Sequence, residues 1–207
     1  MNNSYYPLTG GYTWHYSIRE NSVTELKHKK EIVQNIGIEE GDYIQKYFKG
    51  AKLYLQEDEE GIRIARVILD NGKELKNDEY SSTILNKPFV IENTWNDIII
   101  SHLYNNAEPG SQDVIEAIPV LTSIVAIDDV VKVPAGKYTR CLRIESTGEK
   151  FIREGKYAYQ PKMTVNVKNT RWYAPGIGLV KEIQSDEANI RMYPNVGFTK
   201  ELVRFEK

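Results

Sequence analysis

The stretch YYPLTGGYTWHYSIRE, residues 5–20, decides the fold class. Tyr12, Trp14, Tyr16 and Ile18 fall on one parity, and Thr13, His15, Ser17 and Arg19 on the other. Successive side chains of a strand point to opposite faces of a sheet. The alternation therefore describes a half-buried β-strand with an aromatic inner face. Pro7 and the pair Gly10-Gly11 punctuate the approach to it. Such a strand suits the start of a barrel or a curved sheet.

The same grammar continues along the chain. Thr24 to Ile36, Tyr43 to Phe48, Lys52 to Gln56 and Ile62 to Leu69 read as short strands, and Asp70-Asn71-Gly72 is a tight-hairpin signal. Val120 to Val133 is apolar and β-branched, hence a long strand. Val133-Pro134-Ala135-Gly136-Lys137 suggests a type I turn with a glycine bulge, a three-residue hairpin, and Tyr138 to Ser146 is its return strand. Lys156 to Tyr173, Leu179 to Gln184 and Phe198 to Phe205 complete about ten strands. His102 to Ala117 reads as a loop, with a short helix starting at Ser111. The expectation is a mainly β protein: a single curved antiparallel sheet, half-barrel or barrel-like, with few short helices. No linker, low-complexity stretch or charge block divides residues 1–207, so one β-rich domain is expected.

Composition narrows the class. With 41% hydrophobic and 27% charged residues among 207, the chain can bury a core without disulfides or metals. A formal net charge of -2 argues against a nucleic-acid partner, which needs a basic excess. No apolar run approaches transmembrane length. Cys141 is the one cysteine, which excludes an intrachain disulfide. The start Met-Asn-Asn-Ser lacks an apolar signal region. The expected location is the cell envelope (periplasmic, lipoprotein or secreted) if a signal segment was removed, and the cytoplasm otherwise.

Trp172 to Lys181, WYAPGIGLVK, is the most specific segment. Pro175 pre-sets φ at the first central turn position and Gly176 supplies positive φ at the second, which makes a type II turn. Gly178 permits a bulge before the strand resumes. A phosphate-binding loop is excluded by context, because Leu179 onward has strand character rather than that of a helix N-terminus. Together with Val133–Tyr138 (V-P-A-G-x-[YF]) and the opening entry Tyr6–Trp14, this segment resembles a group of bacterial secreted proteins and lipoproteins of uncharacterised function. The resemblance implies a curved antiparallel half-barrel like that of the periplasmic lipoprotein carriers. It supplies no catalytic residues.

The sequence offers no catalytic constellation. His15, His28 and His102 lie in no triad motif, and G-x-S-x-G, H-E-x-x-H and C-x-x-C are absent. No catalytic residue, metal ligand or cofactor is expected. Cys141, inside a strand, reads as a small core residue, with Arg140 and Arg143 beside it as the one argument for a reactive thiol. The aromatics are the remaining candidates. Tyr12, Trp14 and Tyr16 either fill the core or face an open cavity. Trp95, Tyr157, Tyr159, Trp172 and Tyr173 are further candidate ligand-binding residues, several of them at the cavity's mouth.

The leading functional expectation is a non-enzymatic envelope or secreted protein. Its partner would be a lipid or other apolar small molecule, or a second protein. A hydrolase with a dispersed active site on a β scaffold is the alternative. A small outer-membrane barrel is a third reading, opposed by charges such as Lys46, Arg63 and Arg66 within the strands.

Overall fold

The computed structural model describes residues 4–21, 26–47, 49–75, 80–101, 116–152, 162–189 and 195–207. Its first six strands are β1 (Thr13–Asn21), β2 (Leu26–Glu39), β3 (Asp42–Tyr47), β4 (Lys52–Glu57), β5 (Gly61–Ile68) and β6 (Thr83–Asn86). The other six are β7 (Thr94–Ser101), β8 (Glu116–Val133), β9 (Gly136–Ile152), β10 (Met163–Ala174), β11 (Gly178–Ala188) and β12 (Val196–Glu206). The described residues contain no helix. The segment expected to carry one, from Ser111, lies outside them.

All twelve strands form one sheet in the order β6-β5-β4-β3-β2-β1-β12-β11-β10-β9-β8-β7, antiparallel throughout. This is a meander whose two chain ends pair with each other, β1 against β12. The sheet curls into a nearly closed barrel, and its two free edges, β6 and β7, are consecutive in sequence. Side chains bridge that gap. Ser81 Oγ donates to Asp97 Oδ2 at 2.6 Å, Ser82 N–H reaches Asp97 Oδ1 at 3.3 Å, and Asn93 Nδ2 donates to the Asn86 carbonyl at 3.1 Å. Edge groups that would otherwise invite another strand are thus partly satisfied within the chain.

Period-2 alternation explains the inner face. On β10, Met163, Val165, Val167, Asn169 and Tyr173 are buried at every second position, with half-buried Arg171 between the last two. On β12, Val196, Lys200 and Leu202 are buried. Ile118, Ile152, Met163, Val165, Val167 and Val196 form an apolar plug at one end. A second apolar cluster includes Leu55, Ile62, Leu85, Leu142 and Ile144, four of them with no exposed surface at all. Each such side chain contributes roughly 1.5–3 kcal/mol on burial.

The β8–β9 hairpin is the longest, with strands of 18 and 17 residues. Val133 pairs directly with Gly136, so Pro134-Ala135 forms a two-residue turn rather than the expected three-residue one. Register shifts along β8 and β9 let this hairpin bend. Its tip crosses to β12, where Ala135 N–H donates to the Leu202 carbonyl at 3.0 Å. Leu202 sits at the β1–β12 irregularity beside His15/Tyr16, which frees that carbonyl for the tip.

Candidate functional site

The three sequence segments singled out above converge at one place. Trp14 is 3% exposed, and its indole Nε1–H donates to the Ile177 carbonyl at 2.6 Å. Tyr16 donates its hydroxyl to the Leu179 carbonyl at 2.9 Å. The turn between β10 and β11 is closed by Ile177 N–H to Ala174 C=O, and Gly176 has φ of 72°, as a type II turn requires. Gly176 N–H donates to the Ser4 carbonyl, tying the N-terminal segment down. Gly178 has φ of 98°, and a Cβ there would lie 3.6 Å from Trp14 Nε1. Val131, Val133, Cys141 and Leu202 pack around Trp14 in the same cluster.

Behind this junction lies an internal chamber of about 170 Å³. Tyr6, Tyr16, Tyr47 and Tyr173 line it, with Leu53, Ile64 and Ile84 filling the apolar wall. Its polar lining is engaged. Tyr6 hydroxyl donates to Gln45 Oε1 at 2.8 Å, Gln45 Nε2 to Asn35 Oδ1 at 3.1 Å, and Asn35 Nδ2 to the Pro7 carbonyl at 2.9 Å. That relay pins the N-terminal segment across the barrel interior. Burial pushes the phenols of Tyr6, Tyr16 and Tyr47 well above their usual range, and the Glu31 carboxylate adds to it. Tyr173 is raised too, first by burial, with Arg171 acting against the shift. All four are neutral hydrogen-bonding groups at physiological pH.

Charged residues form a belt around the chamber. Lys200, 9% exposed, pairs with Glu31, and its ammonium lies 4.5 Å from the Tyr16 ring centre. Arg171 is half-buried and lines the chamber. Burial works against its charge, and Tyr173, Glu182 and Asp97 more than offset it. Asn169 Nδ2 donates to Glu182 Oε1 at 2.9 Å, and Gln184 Nε2 donates to Asp186 Oδ1 at 3.0 Å. Ser101 hydroxyl donates to Asp186 Oδ2 at 2.9 Å. Buried polar groups matched in this way fix the register of the barrel interior while avoiding the desolvation cost of unpaired ones. Arg171 Nε and Asn169 Oδ1 are exceptions, with no hydrogen-bond partner among the described residues.

Tyr47, Glu182 and Lys200 also belong to a second, wider hollow of about 410 Å³, so the two spaces share a wall. Ile18, Phe198 and Ala51 supply its apolar surface, and Lys29, Lys30 and Lys49 stand around it. Its volume falls in the range of small-molecule sites, about 300–1,000 Å³; that of the inner chamber alone does not.

The sequence-nominated residues therefore separate. Trp14, Tyr16 and Tyr173 line the chamber. Tyr12 is half-buried at the barrel end, stacked on Phe205 with ring centres 5.4 Å apart, and does not border the chamber. Trp95 packs on the cluster around Leu142, and its Nε1 has no partner among the described residues. Trp172 lies under the long hairpin and donates Nε1–H to Asp129 Oδ2 at 3.1 Å. Tyr157 and Tyr159 lie outside the described residues. Cys141 has no exposed surface, and burial pushes its thiol up to about 11, with Asp129 adding to it. The sequence analysis missed Tyr6, Tyr47, Arg171, Glu182 and Lys200. The last three continue the buried parity of their strands, and strict period-2 counting finds them.

No family model matches this chain, and no curated protein matches it. Among solved structures, it is similar to a "putative lipoprotein" from Parabacteroides distasonis at 13% identity and TM-score 0.46, covering 100% of each chain. It is also similar to the "hypothetical lipoprotein YmcC" from Escherichia coli at 12% identity and TM-score 0.41, over 94% of this chain and 84% of that one. Likeness at that level carries no functional weight. No helix among the described residues is long and apolar enough to cross a membrane, which says nothing of strands.

Proposed function

We propose that this protein is a non-enzymatic binding protein of the cell envelope or the secreted space, acting as one β-rich domain over residues 1–207. Its ligand is a small molecule with an apolar body, held in the barrel interior. The observation that carries the reading is the 410 Å³ hollow, which shares Tyr47, Glu182 and Lys200 with the tyrosine-lined chamber as a common wall. Apolar walls with a few convergent polar groups are the usual anatomy of a ligand site. The envelope placement rests on the resemblance of the Trp172–Lys181, Val133–Tyr138 and Tyr6–Trp14 segments to bacterial secreted proteins and lipoproteins.

Native mass spectrometry of the protein purified without detergent tests this reading. A retained small molecule, released on denaturation, supports it. A bare chain mass, with turnover of an ester, glycoside or phosphate substrate abolished by Arg171→Met, supports the hydrolase alternative instead.

A further inference from the structure

We propose that the ligand of the barrel interior is uncharged and presents an acceptor oxygen, such as a carbonyl, to the Tyr47 hydroxyl, which makes Tyr47 a specificity-determining residue. This rests on the interior-binding reading above and names the polar chemistry of its ligand. Of the four tyrosines that line the chamber, three are engaged. Tyr6 donates to Gln45 Oε1, Tyr16 donates to the Leu179 carbonyl, and Tyr173 has the Arg171 guanidinium within hydrogen-bonding reach. The Tyr47 hydroxyl has no hydrogen-bond partner among the described residues. Buried donors are rarely left unmet, so its proton calls for an acceptor.

The residue is well held. Tyr47 pairs with buried Val33, and the β3–β4 turn closes on its backbone: Tyr47 N–H donates to the Ala51 carbonyl and Gly50 N–H to the Tyr47 carbonyl, both at 2.8 Å. Its ring packs against the cluster around Trp14. Tyr47 belongs to the common wall of the chamber and the outer hollow, so a ligand in either space borders it. The charges around it are already matched. The carboxylates that act on Tyr47 are Glu31 and Glu182. Glu31 pairs with Lys200, while Glu182 accepts from Asn169 and opposes Arg171, as Asp97 does. An ionised ligand would find no free counter-charge among them, and an unmatched charge is costly away from water. An uncharged acceptor needs none. The chamber's volume of about 170 Å³ sets the size of a probe, since an apolar cavity of about 150 Å³ accepts one benzene ring.

Isothermal titration of the full chain with cyclohexanone, methylenecyclohexane, cyclohexanecarboxylate and cyclohexylammonium tests the proposal. The first two share a shape and differ in the acceptor oxygen. Tyr47→Phe removes the hydroxyl and keeps the ring. It should weaken cyclohexanone binding roughly fivefold, the net worth of one hydrogen bond. Methylenecyclohexane should bind both proteins equally, which also shows that the variant folds. Both ions should bind wild type more weakly than cyclohexanone does. A cyclohexanone affinity unchanged in the variant, an equal loss for methylenecyclohexane, or an ion that binds at least as tightly as the ketone would overturn the proposal while leaving interior binding intact. Failure of all four compounds to bind would overturn both.

Discussion

Replacing Trp14 separates a structural role from a ligand-contacting one. The indole is 3% exposed, it lies 5.5 Å from the Phe205 ring, and it fills the space that Gly178 leaves without a side chain. Trp14→Ala should cost about 3–5 kcal/mol, the usual penalty for truncating a large aromatic in a packed core. For a chain of this length, that lowers the melting temperature by roughly 6–20 °C. Trp14→Phe isolates one part of the effect. It keeps most of the apolar contact but deprives the Ile177 carbonyl of its 2.6 Å donor. Losing the donor to this part-buried carbonyl costs about 1 kcal/mol, so the Phe variant should fall between wild type and Ala. Urea unfolding followed by far-ultraviolet circular dichroism measures both variants. A Phe variant within about 0.5 kcal/mol of wild type would refute the role of the Ile177 bond, because substitutions away from packing and hydrogen-bonding features stay within that range. An Ala variant costing less than about 1 kcal/mol would refute the packed junction itself.

Further outcomes follow from named positions. Gly176→Val should destabilise the fold by about 1 kcal/mol or more, since φ of 72° excludes β-branched residues; an unchanged unfolding midpoint contradicts this. Gly61→Ala should be more damaging, because its Cβ would lie 2.0 Å from the Leu85 carbonyl oxygen across the β5–β6 pair; thermal unfolding of the variant is the check. Tyr6, Tyr16, Tyr47 and Tyr173 bind protons more tightly folded than unfolded, so their contribution is fully present below pH ~10 and is lost as pH rises above it. Absorbance at 295 nm should show them ionising only with alkaline unfolding, and their titration in the intact fold would contradict the buried chamber. Cys141 should resist thiol reagents at neutral pH until the chain unfolds, and rapid labelling of the native protein would contradict its burial.

Much of this fold is legible because strand parity is local. Trp14, Tyr16 and the alternation on β10 place the inner face without tertiary information, and Pro175-Gly176 specifies its own turn. The pairing of β1 with β12 is different in kind. It joins residues nearly a chain length apart, and no local propensity encodes it. The meeting of the three motifs follows from that closure. The charged belt was hidden for another reason. Asn169, Arg171, Glu182 and Lys200 look like solvent-facing residues by type, and only their place in an otherwise buried parity turns them inward. Tyr12 shows the reverse case, a residue on the inner parity that precedes β1 and so falls at the barrel's end.

Chemical-shift mapping of backbone amides during a cyclohexanone titration tests the central claim most directly. The account predicts perturbations at Ile18, Tyr47, Ala51 and Phe198 around the mouth, extending to Tyr16 and Lys200, with the plug residues Val165 and Val167 unchanged. Shifts confined to exposed outer positions such as Leu121, Phe151 and Val203, or no saturable shifts at all, would contradict it.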